Sequence, residues 1–283
     1  MRLIKTAIDF TDYDNNQDSI LLGDWCLKDL EDLLGSVDKY NKVPYHWDDR
    51  EKYAGDYIYL TELYEASLSQ LARSLNTIHS TSYDLTYWRI LIGPWLRFFI
   101  DALFDRYECV KRARLVGNIT KSTIYPYDLD DFCPADFVEF WNDFTTDEWN
   151  EVVFSECLLD LEIPCSLSTN SQALGRPAKR KDSTSFDILK TQLRRLANVY
   201  SKLLGRLQSG PVIVSAYVPL KKIIKFHFRL KKLPYFFNLS SVFFPTEKDL
   251  SLRENLSNIT LMSEGFEGLL ARLIPLFIPK SYV

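Results

Sequence analysis

Between Asp49 and His79 the apolar positions Tyr53, Tyr57, Leu60, Tyr64, Leu68, Leu71, Leu75 and Ile78 recur at steps of three and four. This spacing predicts one stripe of an amphipathic helix, with Glu62, Glu65, Gln70 and Arg73 facing solvent. At 1.5 Å per residue such a helix would run ~45 Å. The following run, "YDLTYWRILIGPWLRFFIDALFDRYECVKRAR", is apolar nearly all round and predicts a buried helix started by Asp84. Gly93–Pro94 inside it predicts a kink, because proline removes a hydrogen bond and clashes with the preceding turn. Further helical patterns cover "LKDLEDLLG", "PADFVEFWNDF", "TDEWNEVVFSECLLDL" (opened by Thr146 or Asp147), "FDILKTQLRRLANVYSKLLGRL" and "GFEGLLARLIPLFIP", the last stopped by Pro275 and Pro279.

Strand patterns are shorter: "RLIKTAI", "SILLGDWC" ending at Gly23–Asp24, "NITKSTIY", and the β-branched "GPVIVSAYVP". Strands alternating with helices at both ends, around a helical insertion over about 48–115, predict an α/β fold in a single domain over 1–283. In such sheets ligands sit beyond the carboxyl ends of the strands, which draws attention to Asp24. The polar "STNSQALGRPAKRKDSTS" predicts a flexible loop over about 167–185.

No apolar run is long enough for a membrane span, since "ILIGPWLRFFIDALF" is interrupted by Arg97 and Asp101. No leader-like segment opens the chain, and the five cysteines are scattered and odd in number, so a cytoplasmic, reducing setting is expected. The net charge of −4 hides an asymmetry: residues 176–233 carry fifteen Lys/Arg against two Asp, whereas 1–175 carry fifteen against thirty-one acids. That basic block can balance the acidic part of its own chain, or meet phosphate or anionic lipid at the inner membrane face. "LKKIIKFHFRLKKL" within it reads as a helix apolar on one side and basic on the other, which suits either packing or a membrane surface. Nucleic acid is not an expected partner, because no recognition motif accompanies the block and the whole chain is acidic.

There is no G-x-G-x-x-G, P-loop, H-E-x-x-H or G-x-S-x-G motif. Three isolated histidines and unpaired cysteines give no zinc spacing, and the D-x-D triplets at Asp12–Asp14 and Asp128–Asp130 arise readily in a chain with 38 acids, so no metal is expected. The stretch "NKVPYHWDDREKY" is denser in chemistry. Asp48 and Glu51 have the spacing of a capping box, with the Asp48 carboxylate expected to accept from the N–H of Glu51. Asp49 favours the positive end of the helix. His46, Trp47 and Arg50 are left over: a histidine beside acids can act as an acid or base, and an arginine at a helix N-terminus can grip phosphate. Arg89, flanked by Trp88 and Ile90 in a helix expected to be buried, needs an anionic partner, either Asp48 or Asp49 or a ligand.

"LLGDWC", "YHWDDREKYAGDYIYLTELYEASLSQLARSLNTIHSTSYDLTYWRILIGPWLRFFIDALFDRY" and "FEGLLARLIPLFIPKSY" resemble a family of bacterial transferases found in O-antigen and surface-polysaccharide gene clusters. The resemblance is specific in "YHWDDREK" and "YWRILIGPWL" and weak between about 115 and 260. It implies a glycosyltransferase-like enzyme of the two-Rossmann-domain type, this chain resembling the N-terminal, acceptor-side portion with a Rossmann-like α/β sheet. A nucleotide-activated sugar is the implied donor and a glycan or lipid-linked molecule the acceptor, with the donor held by a C-terminal domain or a separate chain. On that reading His46 or Asp48 is the catalytic base, and Asp24, Trp47, Asp49, Arg50, Trp88 and Arg89 bind substrate.

Overall fold

The computed structural model describes residues 1–12, 18–28, 41–168, 173–176, 220–230, 248–254, 256 and 264–283. Among the described residues five short strands form one sheet: β1 (Arg2–Ile4), β2 (Ser19–Leu21), β3 (Asn41–Lys42), β4 (Lys121–Ile124) and β5 (Cys165–Leu167). All neighbours pair in parallel, in the order β3-β2-β1-β4-β5. This is a Rossmann-like α/β sheet, with the reversal of strand order falling between β1 and β4. The central strands carry Leu3, Ile4, Ile20 and Leu21, all essentially without solvent exposure, as a parallel sheet covered on both faces requires. β3 and β5 escape prediction because two or three residues, exposed or half-buried, carry no readable period.

Between β3 and β4 lies the helical insertion: α1 (Arg50–Ile78), α2 (Leu85–Leu91) and α3 (Gly93–Val116). Asp84 caps α2 through the N–H of Tyr87, as its position in the sequence predicts. The kink predicted at Gly93–Pro94 is a full break, with Ile92 between two helices and Pro94 in the first turn of α3, where its missing N–H costs nothing. Gly93 is required there for space, since a Cβ would lie 2.6 Å from the Tyr64 hydroxyl of α1. α3 is the core element, burying Trp95, Leu96, Phe99, Ile100, Leu103 and Val110. The α1 stripe buries only from Leu60 onward; Tyr53 and Tyr57 are exposed, Tyr57 lying under the Arg97 guanidinium and Tyr53 edge-on to Trp47.

After β4 come α4 (Phe137–Asp143) and α5 (Asp147–Asp160), the latter capped by Thr146 through the N–H of Trp149. α6 (Leu220–Arg229), α7 (Leu250–Glu254) and α8 (Gly265–Phe277) follow. α8 continues through Pro275, contrary to the expected stop, because Leu273, Ile274 and Phe277 are fully buried and that packing outweighs one lost hydrogen bond in the last turn. The helices predicted at "LKDLEDLLG" and "FDILKTQLRRLANVYSKLLGRL", the strand at "GPVIVSAYVP" and most of the 167–185 loop lie outside the described residues. The chain divides into two units, Met1–Pro177 with Pro245–Val283, and Ala178–Phe244. Of the described helices, α6 alone belongs to the second. Among the described residues no helix is long and apolar enough to cross a membrane.

One polar cluster interrupts the core at the strand-order reversal. Lys5, immediately after β1, has no solvent exposure. Its Nζ donates to the Thr123 carbonyl of β4 at 2.6 Å, and lies 3.1 Å from Asp9 Oδ1 and 2.7 Å from Glu151 Oε1. The Lys5 N–H donates to Asp9 Oδ2 at 2.7 Å, and the Thr6 hydroxyl donates to Glu151 Oε2 at 2.7 Å. Burial, reinforced by the Asp9 charge, pushes the Glu151 carboxyl up to about 7 against the opposing pull of Lys5. The same two carboxylates outweigh burial at Lys5 and raise its ammonium above its ordinary range. Lys5→Met removes the shared cation and leaves two buried carboxyls facing each other, so unfolding in urea should show a loss of about 3–5 kcal/mol. A loss below about 1 kcal/mol would show that the cluster does not hold the strands.

Candidate functional site

A cavity of about 710 Å³ opens beyond the carboxyl ends of β2 and β3. Its walls come from the turn after β2 (Gly23, Asp24, Trp25), from Lys42 to Tyr45, from Asp48, from Asp105 and Arg106 of α3, and from the start of α5 (Asp147, Asn150, Phe154). This is where open α/β sheets place ligands, because the strand ends leave loops and side chains free to converge.

Trp25 forms the wall nearest β1. Its indole N–H donates to the Lys5 carbonyl at 2.9 Å, and its ring stacks on Phe154 at 6.5 Å with planes 4° apart. Gly23 makes this possible: a Cβ there would lie 2.1 Å from the indole ring. The cavity is therefore tied to the buried lysine through one backbone carbonyl.

The opposite wall is polar and interlocked. Asp105 Oδ1 accepts from the Tyr45 hydroxyl at 2.7 Å and lies 3.1 Å from His46 Nε2, while Oδ2 accepts from Arg106 Nη1 at 2.8 Å. Arg106 Nε donates in turn to Asn150 Oδ1 at 2.9 Å. Burial alone would raise the Asp105 carboxyl, but the hydrogen bonds from His46 and Tyr45 and the Arg106 charge hold it below the usual range. Burial and the bond to Asp105 push the Tyr45 phenol upward, so it stays a donor. Lys42 pairs with Asp24 across the mouth.

The sequence-predicted residues divide between places. Asp24 and Asp48 line the cavity. His46 is 1% exposed and stands behind the wall, on Asp105. Trp47 lies beside it, ring centroids 4.6 Å apart with the planes tilted by 47°, and donates to Asp56 Oδ2 at 3.0 Å. The helix cap is Asp49, not Asp48 as its capping-box spacing predicts: Asp49 Oδ1 accepts from the N–H groups of Glu51 and Lys52 at 3.0 and 3.1 Å. A 3₁₀ turn over His46–Asp48 shifts the cap by one residue and leaves the exposed Asp48 carboxylate without an ion pair among the described residues. Arg50 is exposed and does not line the cavity. Neither do Trp88 and Arg89. Trp88 is buried and donates to Asn76 Oδ1. Arg89 is partly exposed rather than buried, and its guanidinium is held by both carboxylate oxygens of Glu65 at 2.5 and 2.7 Å, so its partner is neither Asp48 nor Asp49. Asp128 caps the turn Leu129–Phe132 and Asp130 pairs with Lys248, which gives that D-x-D triplet a structural role.

The family model described as "LIC12162 family transferase" matches residues 1–283. The chain belongs to this transferase family. No curated protein and no solved structure matches it. The transferase has functional candidates that its sequence did not single out. Tyr45, Lys42, Asp105, Arg106 and Trp25 reach the cavity from three separate segments, and only their convergence marks them.

Proposed function

We propose that this transferase is a glycosyltransferase of surface-polysaccharide or O-antigen synthesis, and that the cavity beyond β2 and β3 receives the acceptor. The observation that carries this reading is the pairing, within one cavity, of an uncommitted carboxylate, Asp48, with the cations Lys28, Lys42 and Arg106. The carboxylate accepts the proton of the acceptor hydroxyl as its oxygen attacks the anomeric carbon. The bond to the donor phosphate breaks in the same displacement, and the nucleotide leaves with the electron pair, its charge met by the nearby cations. Between the two base candidates, Asp48 fits this role better, since it faces the cavity while His46 is enclosed behind Asp105. Trp25 and Tyr45 offer ring faces of the kind on which sugar rings lie. The donor is a nucleotide-activated sugar, bound with the help of a further domain or a separate chain, and the setting is the cytoplasmic face of the inner membrane.

A second reading, that the chain serves as a membrane-surface or interaction subunit derived from such an enzyme, is favoured by α6. There Lys221, Lys222, Lys225 and Arg229 are exposed together with Phe226 and Phe228, an arrangement suited to anionic lipid.

Two experiments separate these readings. With labelled nucleotide sugars and membrane glycolipid as acceptor, Asp48→Asn should lower transfer by about 10²–10⁴-fold, the scale of a lost general base. Asp49→Ala should instead cost about 1 kcal/mol of stability, as a lost helix cap, and keep transfer. Transfer unchanged in Asp48→Asn would remove the assignment. In vesicle flotation the second reading requires binding to anionic but not neutral lipid, abolished when Lys221, Lys222 and Lys225 are changed to Glu; equal binding to both lipids would exclude it.

A further inference from the structure

Behind the cavity wall, a ring nitrogen of His46, a carboxylate oxygen of Asp105 and the Cys109 thiol lie within 4.8 Å of one another. We propose that these three side chains bind a zinc-type divalent transition-metal ion at the edge of the cavity. The inference is independent of the glycosyltransferase reading.

Three observations carry it. First, the fold brings the donors together from both sides. Asp105 and Cys109 are four residues apart on α3 and so project from one helical face, while the 3₁₀ turn His46–Asp48 lays the imidazole against them. Second, His46 is almost fully buried and its Nε2 lies 3.1 Å from Asp105 Oδ1, so a nitrogen and an oxygen donor already face each other out of solvent. An imidazole beside a thiol and a carboxylate is the composition of a metal centre, the ion taking the place of the proton between His46 and Asp105. Third, the surroundings resemble the outer shell of such a centre. The Asp105 carboxylate is oriented by the Tyr45 hydroxyl and by Arg106, and the imidazole is enclosed by Trp47 at 4.6 Å and Phe104 at 6.3 Å.

The mixed N, O and S donor set selects zinc over the hard cations magnesium and calcium, which take oxygen. Zinc bonds of 2.0–2.3 Å set ligand atoms about 3.3–3.8 Å apart on a tetrahedron, so closing onto an ion shortens the longest separation by about 1 Å, a side-chain adjustment. Binding exchanges the thiol proton for the metal: the S–H bond breaks, an S–metal bond forms and the proton passes to solvent. Three protein ligands leave one position for water or a substrate atom, the pattern of catalytic and not structural zinc. Asp105 also lines the cavity, so the proposed ion and the cavity wall share one carboxylate.

The test uses the full chain, stripped with a chelator and titrated with Co²⁺ and then Zn²⁺. The expected result is one equivalent of Co²⁺ with a near-ultraviolet thiolate-to-cobalt charge-transfer band that Zn²⁺ displaces. Cys109→Ser should abolish the band and Cys165→Ser should leave it. His46→Gln keeps every thiol and should also abolish stoichiometric binding, so the test does not depend on how well Cys109→Ser folds. Tyr45→Phe, removing only the outer hydrogen bond, should weaken binding about 10–100-fold. Absence of the band in the wild-type chain, or its survival in both Cys109→Ser and His46→Gln, would overturn the proposal.

Discussion

A lysine with no solvent exposure sits where the strand order of this sheet reverses, and the arrangement of the surrounding elements follows from what it needs. An ammonium ion cannot be buried alone, so Lys5 draws in Asp9 from the turn after β1, Glu151 from α5 and the Thr123 carbonyl of β4. Those bonds fix the sheet against α5. They also fill the crevice between β1 and β4 that dinucleotide-binding folds leave open for phosphates. The absence of a G-x-G-x-x-G turn after β1 agrees with this, because that position is occupied by the protein's own charges. The cavity lies to one side instead, beyond β2 and β3, and Trp25 couples the two through its bond to the Lys5 carbonyl.

Around that space the electrostatics are divided between committed and uncommitted groups. Asp105 is neutralised by Arg106 and held by Tyr45 and His46, and Asp24 pairs with Lys42. Asp48 is outside these networks, because the 3₁₀ turn assigns the capping duty to its neighbour. A shift of one residue thus decides which of two adjacent aspartates is structural and which is available for chemistry.

Much of the architecture was legible in the sequence. The long period of α1, the burial of α3 and the caps at Asp84 and Thr146 rest on local rules that the structure obeys, and Gly93–Pro94 marked the place of an interruption that is a break where a kink was expected. Local rules also account for the misreadings. Capping-box spacing favoured Asp48, but the 3₁₀ turn before the helix moved the first free N–H groups one residue on. Arg89 looked buried because its neighbours are apolar, whereas its helix face meets Glu65 near solvent. The short strands β3 and β5 carry no period, and the joining of Lys5 to Glu151 across 146 positions leaves no trace in spacing. Of the candidate site, the segment from Tyr45 to Asp48 and the turn at Asp24 were visible as chemistry-rich stretches; Asp105, Arg106 and Lys42 were not, because convergence is a property of the fold.

The central claim is that substrate is received beyond β2 and β3. The most direct measurement is a crystal structure of the chain with a nucleotide sugar or acceptor that supports transfer. The expected result is density in the cavity, with a hydroxyl or phosphate oxygen within hydrogen-bonding distance of Asp48, Lys42 or Arg106 and a ring against Trp25 or Tyr45. Density in the crevice between β1 and β4, or at Arg89, with the cavity vacant, would contradict it.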